Sequence, residues 1–349
     1  MKTQIIELDN KSYPVYIGMD IINVVNRHLP KHQTILIVTD QNVFDAHIEC
    51  LKQILKDYSV HIFTLSKSPE QDKCMSRYLE LLDYATLHQL GRDINVLAFG
   101  GGAVGDFAGF FASTYKRGVD FVQLPTTILA HDSSVGGKVA LNHQNIKNMI
   151  GSFYQPKAVV YDLQFIKTLN KLEILSGFGE VFKHDLLNDG TLLQSLTSID
   201  TLMNDPIQLS HVLLGAIKTK YQYVKDDVYD NLGSRQALNL GHTLGHGLEG
   251  TTPFTHGEAI LLGVCFDIYL LDTNWALKLF RQFSGLGYFV IRYDFDIPEI
   301  IKAMMNDKKN KRDLIKFISM SDYGKHSDIL LSEDQFKEQF QLFLKECKW

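Results

Sequence analysis

Cysteine is scarce in this 349-residue chain: Cys50, Cys74, Cys265 and Cys347 are the whole supply, and no two share a short spacing. That excludes a disulfide-stapled scaffold and a zinc site built from thiolates. Positive charge is not in excess either. Against 40 Asp and Glu stand 35 Lys and Arg, for a net charge of -5, and no basic stripe interleaves with aromatics. A nucleic-acid partner is therefore not expected. No apolar run reaches bilayer length, and Met1 to Glu7 hold no signal-peptide core, so no membrane partner and a cytoplasmic location are expected. Internal repeats, low-complexity tracts and long linkers are also missing. What remains is an ordinary globular composition, 45% hydrophobic and 21% charged, with length enough for two cores.

The first half alternates short β-branched runs with helical patterns. Thr34 to Thr39, Val60 to Leu65, Ile94 to Phe99, Phe121 to Leu124 and Ala158 to Tyr161 read as strands, with segments such as Gln71 to Leu90 of helical length between them. This alternation predicts an α/β domain, Rossmann-like, with a mainly parallel sheet under helices. Past residue 172 the texture becomes helical, with amphipathic stretches at Leu192 to Leu202, Leu209 to Val224, Leu238 to Leu248, Ala259 to Leu271 and Asp334 to Glu346. The expected division is an α/β domain over 1–172 and an all-α domain over 173–349.

Chemistry concentrates in the second half. His242 and His246 are four residues apart, on one face of a predicted helix, where two rings can converge on one point. Pro253 then breaks the helix, and the chain can fold back to bring in His256. Three imidazoles at this spacing suit a metal ion, and zinc also accepts a carboxylate oxygen. Glu180, read as lying in the first turn of a helix with Lys183 one turn later, is the leading carboxylate. His184 is a rival ligand.

Strand Ile94 to Phe99 runs into Gly100-Gly101-Gly102-Ala103-Val104-Gly105-Asp106 and then a helical pattern, which satisfies G-x-G-x-x-G between strand and helix. Glycines there let backbone amides approach a diphosphate. The loop falls late in the domain, however, not at the first βα turn of a standard dinucleotide fold. Asp40, ending an earlier strand, is placed to hold a ribose hydroxyl. A polar run follows, Pro125-Thr126-Thr127-Ile128-Leu129-Ala130, Asp132 to Lys138, and Lys147-Asn148. It reads as a loop region equipped for anions and hydroxylated carbons. Arg235 and Asn239, two turns and one turn before His242, are expected on the metal's face, and Asp307 to Arg312 add positive charge.

In their order, the GGGAVGD loop, Pro125 to Ala130, Asp132 to Lys138, Lys147-Asn148, Gly179 to Lys183, Asn239 to His246, His256-Gly257-Glu258 and Asp307 to Asn310 resemble the 3-dehydroquinate synthase family. The resemblance runs from Asp40 to Asn310. It implies a phosphate-eliminating lyase of the shikimate pathway, dependent on NAD and zinc, with Co2+ as a possible substitute metal. Its substrate would be 3-deoxy-D-arabino-heptulosonate 7-phosphate and its products 3-dehydroquinate and phosphate.

Carried onto matching positions, the resemblance makes Glu180, His242 and His256 the metal ligands, and His246, Lys183, Lys138 and Asp230 the catalytic groups. NAD would lie against Asp40, Asn42, Glu70, Lys73, Gly101, Gly102, Gly105, Asp106, Thr126, Thr127, Lys138 and Lys147, backed by Phe165, Ile166, Lys167 and Thr168. Substrate would be held by Arg117, Asp132, Lys138, Asn148, Lys183, Lys220, Arg235, Asn239 and one of Lys308 or Lys309. Arg117 matches an arginine that reaches the neighbouring subunit's site, which implies a homodimer.

The chain departs from the family pattern at several points. Pro69 replaces a glycine, one residue is missing between Ala130 and Asp132, and Leu169 to Glu173 differ from the usual Leu-Pro-x-Arg-Glu. An insertion before Arg235 shifts the substrate lysine to Lys220 and puts Asp230 in place of a glutamate. Other sugar-phosphate cyclases and metal-dependent polyol dehydrogenases share single motifs and form the alternative reading.

Overall fold

The structure, a computed structural model, describes residues 1–8, 11–144, 146–305 and 314–349. Among the described residues, eleven strands run in chain order: β1 Lys2–Leu8, β2 Lys11–Gly18, β3 Thr34–Asp40, β4 Ser59–Leu65, β5 Asn95–Gly100, β6 Asp120–Pro125, β7 Lys138–His143, β8 Ile146–Phe153, β9 Ala158–Asp162, β10 Ile315–Asp322 and β11 Lys325–Leu331. Seven form one sheet in the order β1-β2-β9-β6-β5-β3-β4, parallel except for the β1-β2 pair. All five strands expected from the sequence lie in it. Their near-continuous apolar runs have a direct cause, since both faces are covered. Ile35, Ile37, Leu97 and Phe99 pack into one core, while Leu36, Val38, Val96 and Ala98 pack into another.

Contacts divide the chain into two compact units. The first comprises Met1–Leu169 and Asp205–Tyr229, the second Asn170–Asn204 and Asp230–Trp349. The division differs from a single cut at residue 172 because the Pro206–Val224 helix packs with the first unit. Its Tyr221 hydroxyl donates to the Glu7 carbonyl at 3.1 Å, and its Lys220 ammonium pairs with Asp132 at 2.9 Å. Neither contact has a sequence signal, because both partners are more than 80 residues away.

Within the first unit, β7 and β8 form a separate antiparallel hairpin where a polar loop was expected. It lies on the Gly102–Thr114 helix, and the approach is tight enough that a Cβ on Gly109 would stand 2.4 Å from the Val139 side chain.

The second unit is helical, with one addition to the expected all-α pattern: the β10-β11 hairpin, antiparallel. Its Lys171–Leu186 helix starts with a capping box, in which Asn170 accepts from the Glu173 N–H and the Glu173 carboxylate accepts from the Asn170 N–H. The atypical Asn170 therefore forms a standard helix start with Glu173. Glu180 consequently sits in the middle of a sixteen-residue helix, not in its first turn.

The stretch read as one helix from Leu238 is also two elements. A 3-10 helix, Ser234–Asn239, ends at Leu240, and the α-helix His242–Thr251 begins after Gly241 at φ 77. Arg235 and Asn239 thus leave the α-helical face of His242 and His246, since a left-handed glycine redirects the chain.

Candidate functional site

Glycine sets the spacing of the helices that carry the second unit's candidate site. A Cβ on Gly179 would stand 2.4 Å from the Gly257 Cα, and one on Gly257 would stand 2.0 Å from the Ser176 carbonyl oxygen. The Lys171–Leu186 and His256–Tyr269 helices therefore touch backbone to backbone there, and Glu180 and His256 are the residues adjacent to that contact. Gly241 and Gly245 bring the His242–Thr251 helix equally close to Ile260. The glycines around the histidines are thus packing positions.

The result is a convergent group. Glu180 Oε1 lies 3.2 Å from His256 Nε2 and 3.4 Å from His242 Nε2. One donor atom from each of the three residues lies within 4.8 Å of the others, as a cation needs. The outer ring nitrogens are held too. His242 Nδ1 is 3.1 Å from the Leu240 carbonyl, which can only accept, so Nδ1 carries the proton and Nε2 presents its lone pair. His256 Nδ1 is 3.3 Å from Glu249 Oε1. Each imidazole is oriented from behind by an oxygen, the support that metal-ligating histidines use.

Electrostatics agree with a cation-demanding site. Burial and the nearby Lys183 ammonium push the His242 pKa well below its ordinary value. Burial also disfavours charge on His256, but hydrogen bonds and charges from Glu180 and Glu249 outweigh it and raise that pKa to about 9. With no metal, the two carboxylates recruit a proton. A divalent cation answers the same need, so the donor set fits one.

Glu180 and Lys183 are almost fully buried and ion-paired one helical turn apart, and the Lys183 ammonium also donates to the Leu238 carbonyl at 3.0 Å. His246, by contrast, is exposed, its ring centroid 5.2 Å from that of His242, and it is not among the three converging donors. His184 is fully buried on the Glu180 helix. Asp230 is exposed with φ 55, Arg235 is buried, and Asn239 is half-buried. Lys308 and Lys309 lie outside the described residues. Glu249 was not anticipated. Its only sequence signal is its place two helical turns after His242, on the same face.

The first unit holds a second group. The glycine loop follows β5 and Asp40 ends β3, and these two strands are neighbours. Strand order reverses here: β4 flanks β3 on one side, while β5, β6 and β9 extend on the other. A loop late in the sequence thus occupies the switch point at the carboxyl ends of a parallel sheet, where open α/β folds bind ligands. Gly101 precedes the Gly102–Thr114 helix and supplies no side-chain cap to its amides. Beside it, the Thr126 N–H donates to the Gly100 carbonyl at 3.0 Å, while the buried Thr126 hydroxyl has no partner among the described residues. Open amides and an unmatched buried hydroxyl fit a diphosphate. Asp40 caps the next helix through Oδ1, which accepts from the Asn42 and Val43 N–H groups.

Lys73 is the hub of this group. Its buried ammonium reaches Asp106 Oδ2 at 2.9 Å, Asn148 Oδ1 at 2.7 Å and Glu70 Oε1 at 3.4 Å. Burial opposes its charge, but the two carboxylates more than compensate and raise its pKa. Asn142 completes the cluster, donating to Glu70 Oε1 at 2.9 Å and accepting from the Asn148 N–H at 2.8 Å. Nothing in sequence spacing marks Asn142, because the β7-β8 hairpin brings it to a partner 72 residues away. Pro69 opens the one-turn helix Pro69–Asp72, a position that suits its fixed φ.

Of the other sequence-derived positions, Thr127 is half-buried at the loop, while Lys138 and Lys147 are exposed on the hairpin. Phe165 and Ile166 are core residues, the Phe165 ring packing 5.0 Å from Phe99, so only their backbone is available to a ligand. Lys167 and Thr168 are exposed, and Thr168 Oγ1 lies 2.9 Å from His47 Nε2. Arg117 is exposed on a left-handed run, Lys116 at φ 48, Arg117 at φ 70 and Gly118 at φ 115.

Two family models match in tandem: 3-dehydroquinate synthase N-terminal over residues 63–176 and 3-dehydroquinate synthase C-terminal over residues 177–310. The chain belongs to the 3-dehydroquinate synthase family. Curated relatives agree. A 3-dehydroquinate synthase of Staphylococcus epidermidis is 36% identical over 340 residues, covering 95% of each chain. One of Listeria welshimeri is 39% identical over 332 residues, covering 90% of each.

Solved structures show the same fold. A 2-deoxy-scyllo-inosose synthase complexed with carbaglucose-6-phosphate, NAD+ and Co2+ superposes with a TM-score of 0.87 at 24% identity, covering 97% of this chain and 98% of that one. A 2-epi-5-epi-valiolone synthase from Streptomyces hygroscopicus with NAD+ and Zn2+ bound gives 0.84 at 21% identity, covering 97% and 99%. Among the described residues, no helix of this family member is long and apolar enough to cross a membrane.

Proposed function

We propose that this chain converts 3-deoxy-D-arabino-heptulosonate 7-phosphate to 3-dehydroquinate and phosphate, using NAD and zinc held at the two groups described above. The observation that carries the reading is the convergence of Glu180, His242 and His256 in a chain of this family. The reaction is oxidation of a hydroxyl, elimination of phosphate, reduction, ring opening and aldol closure. When bound, NAD supplies reversible hydride acceptance and the cation supplies polarisation of substrate hydroxyls.

The chain's own residues do the rest. Glu180, His242 and His256 hold the cation, with Lys183 balancing the Glu180 carboxylate and offering an ammonium to substrate oxygens. His246, one turn from a ligand yet outside the converging group, takes and returns a proton. Asp230 would act as a second acid-base group. The Gly101-Gly102 amides, with Gly105 beside them, and Thr126 receive the diphosphate, while Asp40, Asn42 and Glu70 hold ribose hydroxyls. Lys73 fixes Asp106 and Asn148, Asp132 and Lys220 hold each other, and Lys138, Lys147, Thr127, Arg235 and Asn239 complete binding. A homodimer in which Arg117 reaches the partner's site, and residence in the cytoplasm, belong to the same proposal.

Turnover stoichiometry tests it. With substrate and substoichiometric NAD, many phosphates should appear per NAD without lasting NADH absorbance. Accumulating NADH, or no phosphate, would make the chain a dehydrogenase or a cyclase for another sugar phosphate.

A further inference from the structure

Asp267 is fully buried in the second unit, on the His256–Tyr269 helix, and it belongs to none of the groups above. Its Oδ2 accepts from the Gly241 N–H at 2.6 Å, and its Oδ1 has no partner among the described residues. Ser319 donates to its main-chain carbonyl and anchors its backbone. An acid removed from water with one hydrogen bond is costly. An apolar side chain at this position would leave the Gly241 N–H without its acceptor.

The role lies in the peptide that Asp267 touches. The N–H of Gly241 and the C=O of Leu240 are two ends of one planar peptide group, pointing in opposite directions. At its other end the Leu240 oxygen faces His242 Nδ1 at 3.1 Å. The connection runs from the Asp267 carboxyl, through the Gly241 N–H and the Leu240 C=O, to the His242 Nδ1–H, with Nε2 facing Glu180. An acceptor on the N–H end of a peptide increases the negative charge on its oxygen, which strengthens the hydrogen bond at the other end. His256 receives its support directly, from Glu249.

We propose that Asp267 is a positioning residue for the metal ligand His242, acting through the Leu240-Gly241 peptide as a carboxyl group would act directly on an imidazole. It orients the ring by fixing the left-handed turn at Gly241, φ 77, and it raises the donor strength of Nε2 through the polarised carbonyl. This inference rests on the reading of Glu180, His242 and His256 as a metal site.

The test is a Co2+ titration of metal-free protein, followed by visible absorbance, with folding monitored by circular dichroism. Asp267→Leu removes the acceptor and should weaken Co2+ by about tenfold to a hundredfold and shift the absorption band. Asp267→Asn keeps a carbonyl acceptor for the Gly241 N–H and should restore most of the affinity. If Asp267→Leu does not fold, Asp267→Ser, too short to reach Gly241, replaces it with the same expectation. The His242 Nδ1–H proton resonance should move upfield in the same variants and return in Asp267→Asn. Unchanged Co2+ affinity and spectrum in a folded Leu or Ser variant overturn the inference. Failure of the metal reading looks different: the unmodified protein would then show no site-specific Co2+ signal to lose, or a His256→Ala control would keep that signal in full.

Discussion

A Cβ on Gly102, at the start of the first unit's glycine-loop helix, would stand 3.0 Å from the Ser133 hydroxyl, whereas one on Gly179 would stand 2.4 Å from the Gly257 Cα. A serine side chain can rotate away, but a helix backbone cannot. At Gly102 the only close neighbour among the described residues is a movable side chain, whereas at Gly179 glycine removes room so that two helices can present side chains to a common point. The charges are reversed as well. A buried lysine is surrounded by carboxylates in one group, and a buried carboxylate is surrounded by a lysine and two imidazoles in the other. Glycine therefore does not identify a ligand loop until its neighbours are known.

The largest effect should come from removing a ligand. His256→Ala takes one donor from three, so bound zinc, measured by elemental analysis of dialysed protein, should become substoichiometric and phosphate release should vanish. His184→Ala should keep its metal. Full zinc in His256→Ala would sink the assignment of Glu180, His242 and His256 as the ligands, and with it the contrast between the two units.

Next in size is His246→Ala. Zinc and NAD should remain bound while phosphate release slows by about a hundredfold to ten-thousandfold, the usual cost of losing a proton-transfer group. Metal analysis and a phosphate assay on one preparation decide it. Loss of zinc would make His246 a ligand, and undiminished turnover would leave it no role in the reaction.

Glycine substitutions then sharpen the comparison directly. Gly179→Ala forces two helix backbones apart and should lower stability by about 1–3 kcal/mol, read from denaturant unfolding, and weaken zinc as the donors separate. Gly102→Val should leave the unfolding midpoint nearly unchanged yet weaken NAD, measured by calorimetry, by about tenfold or more. Equal NAD affinity would place the cofactor elsewhere.

The smallest effect is one of pH. The folded-state pKa of His256 is raised from 6.5 to about 9, so in metal-free protein its charge stabilises the fold fully below about 6.5, and that contribution fades as pH rises through 9. Zinc should displace the proton, making its affinity rise with pH up to about 9 and removing the pH-dependent loss of stability. Unfolding curves at pH 6, 7.5 and 9, with and without zinc, check both signs.

Local pattern was sufficient wherever a residue's role depends on near neighbours. The five core strands, the strand-loop-helix at Gly100 to Asp106, the amphipathic helices near Leu209 and Asp334, and the histidine spacing all follow from period and turn chemistry within a short window. Glu180, some sixty positions away, is the leading carboxylate from its place in a helix, and the family resemblance then joins it to His242 and His256 and sets His246 apart as an acid-base group.

Tertiary structure decided everything that depends on distant pairing. It moved the Pro206–Val224 helix into the first unit, turned the Lys138 to Phe153 run into a hairpin that brings Asn142 to Lys73, and put the late glycine loop at the sheet's switch point. It also split the Leu238 segment at Gly241 and supplied Glu249 and Asp267 behind the two imidazoles. The physical reason is the same in each case. Hydrophobic period and turn preference are properties of adjacent residues, whereas a hydrogen bond or a backbone contact between positions dozens of residues apart exists only once the cores have closed around it.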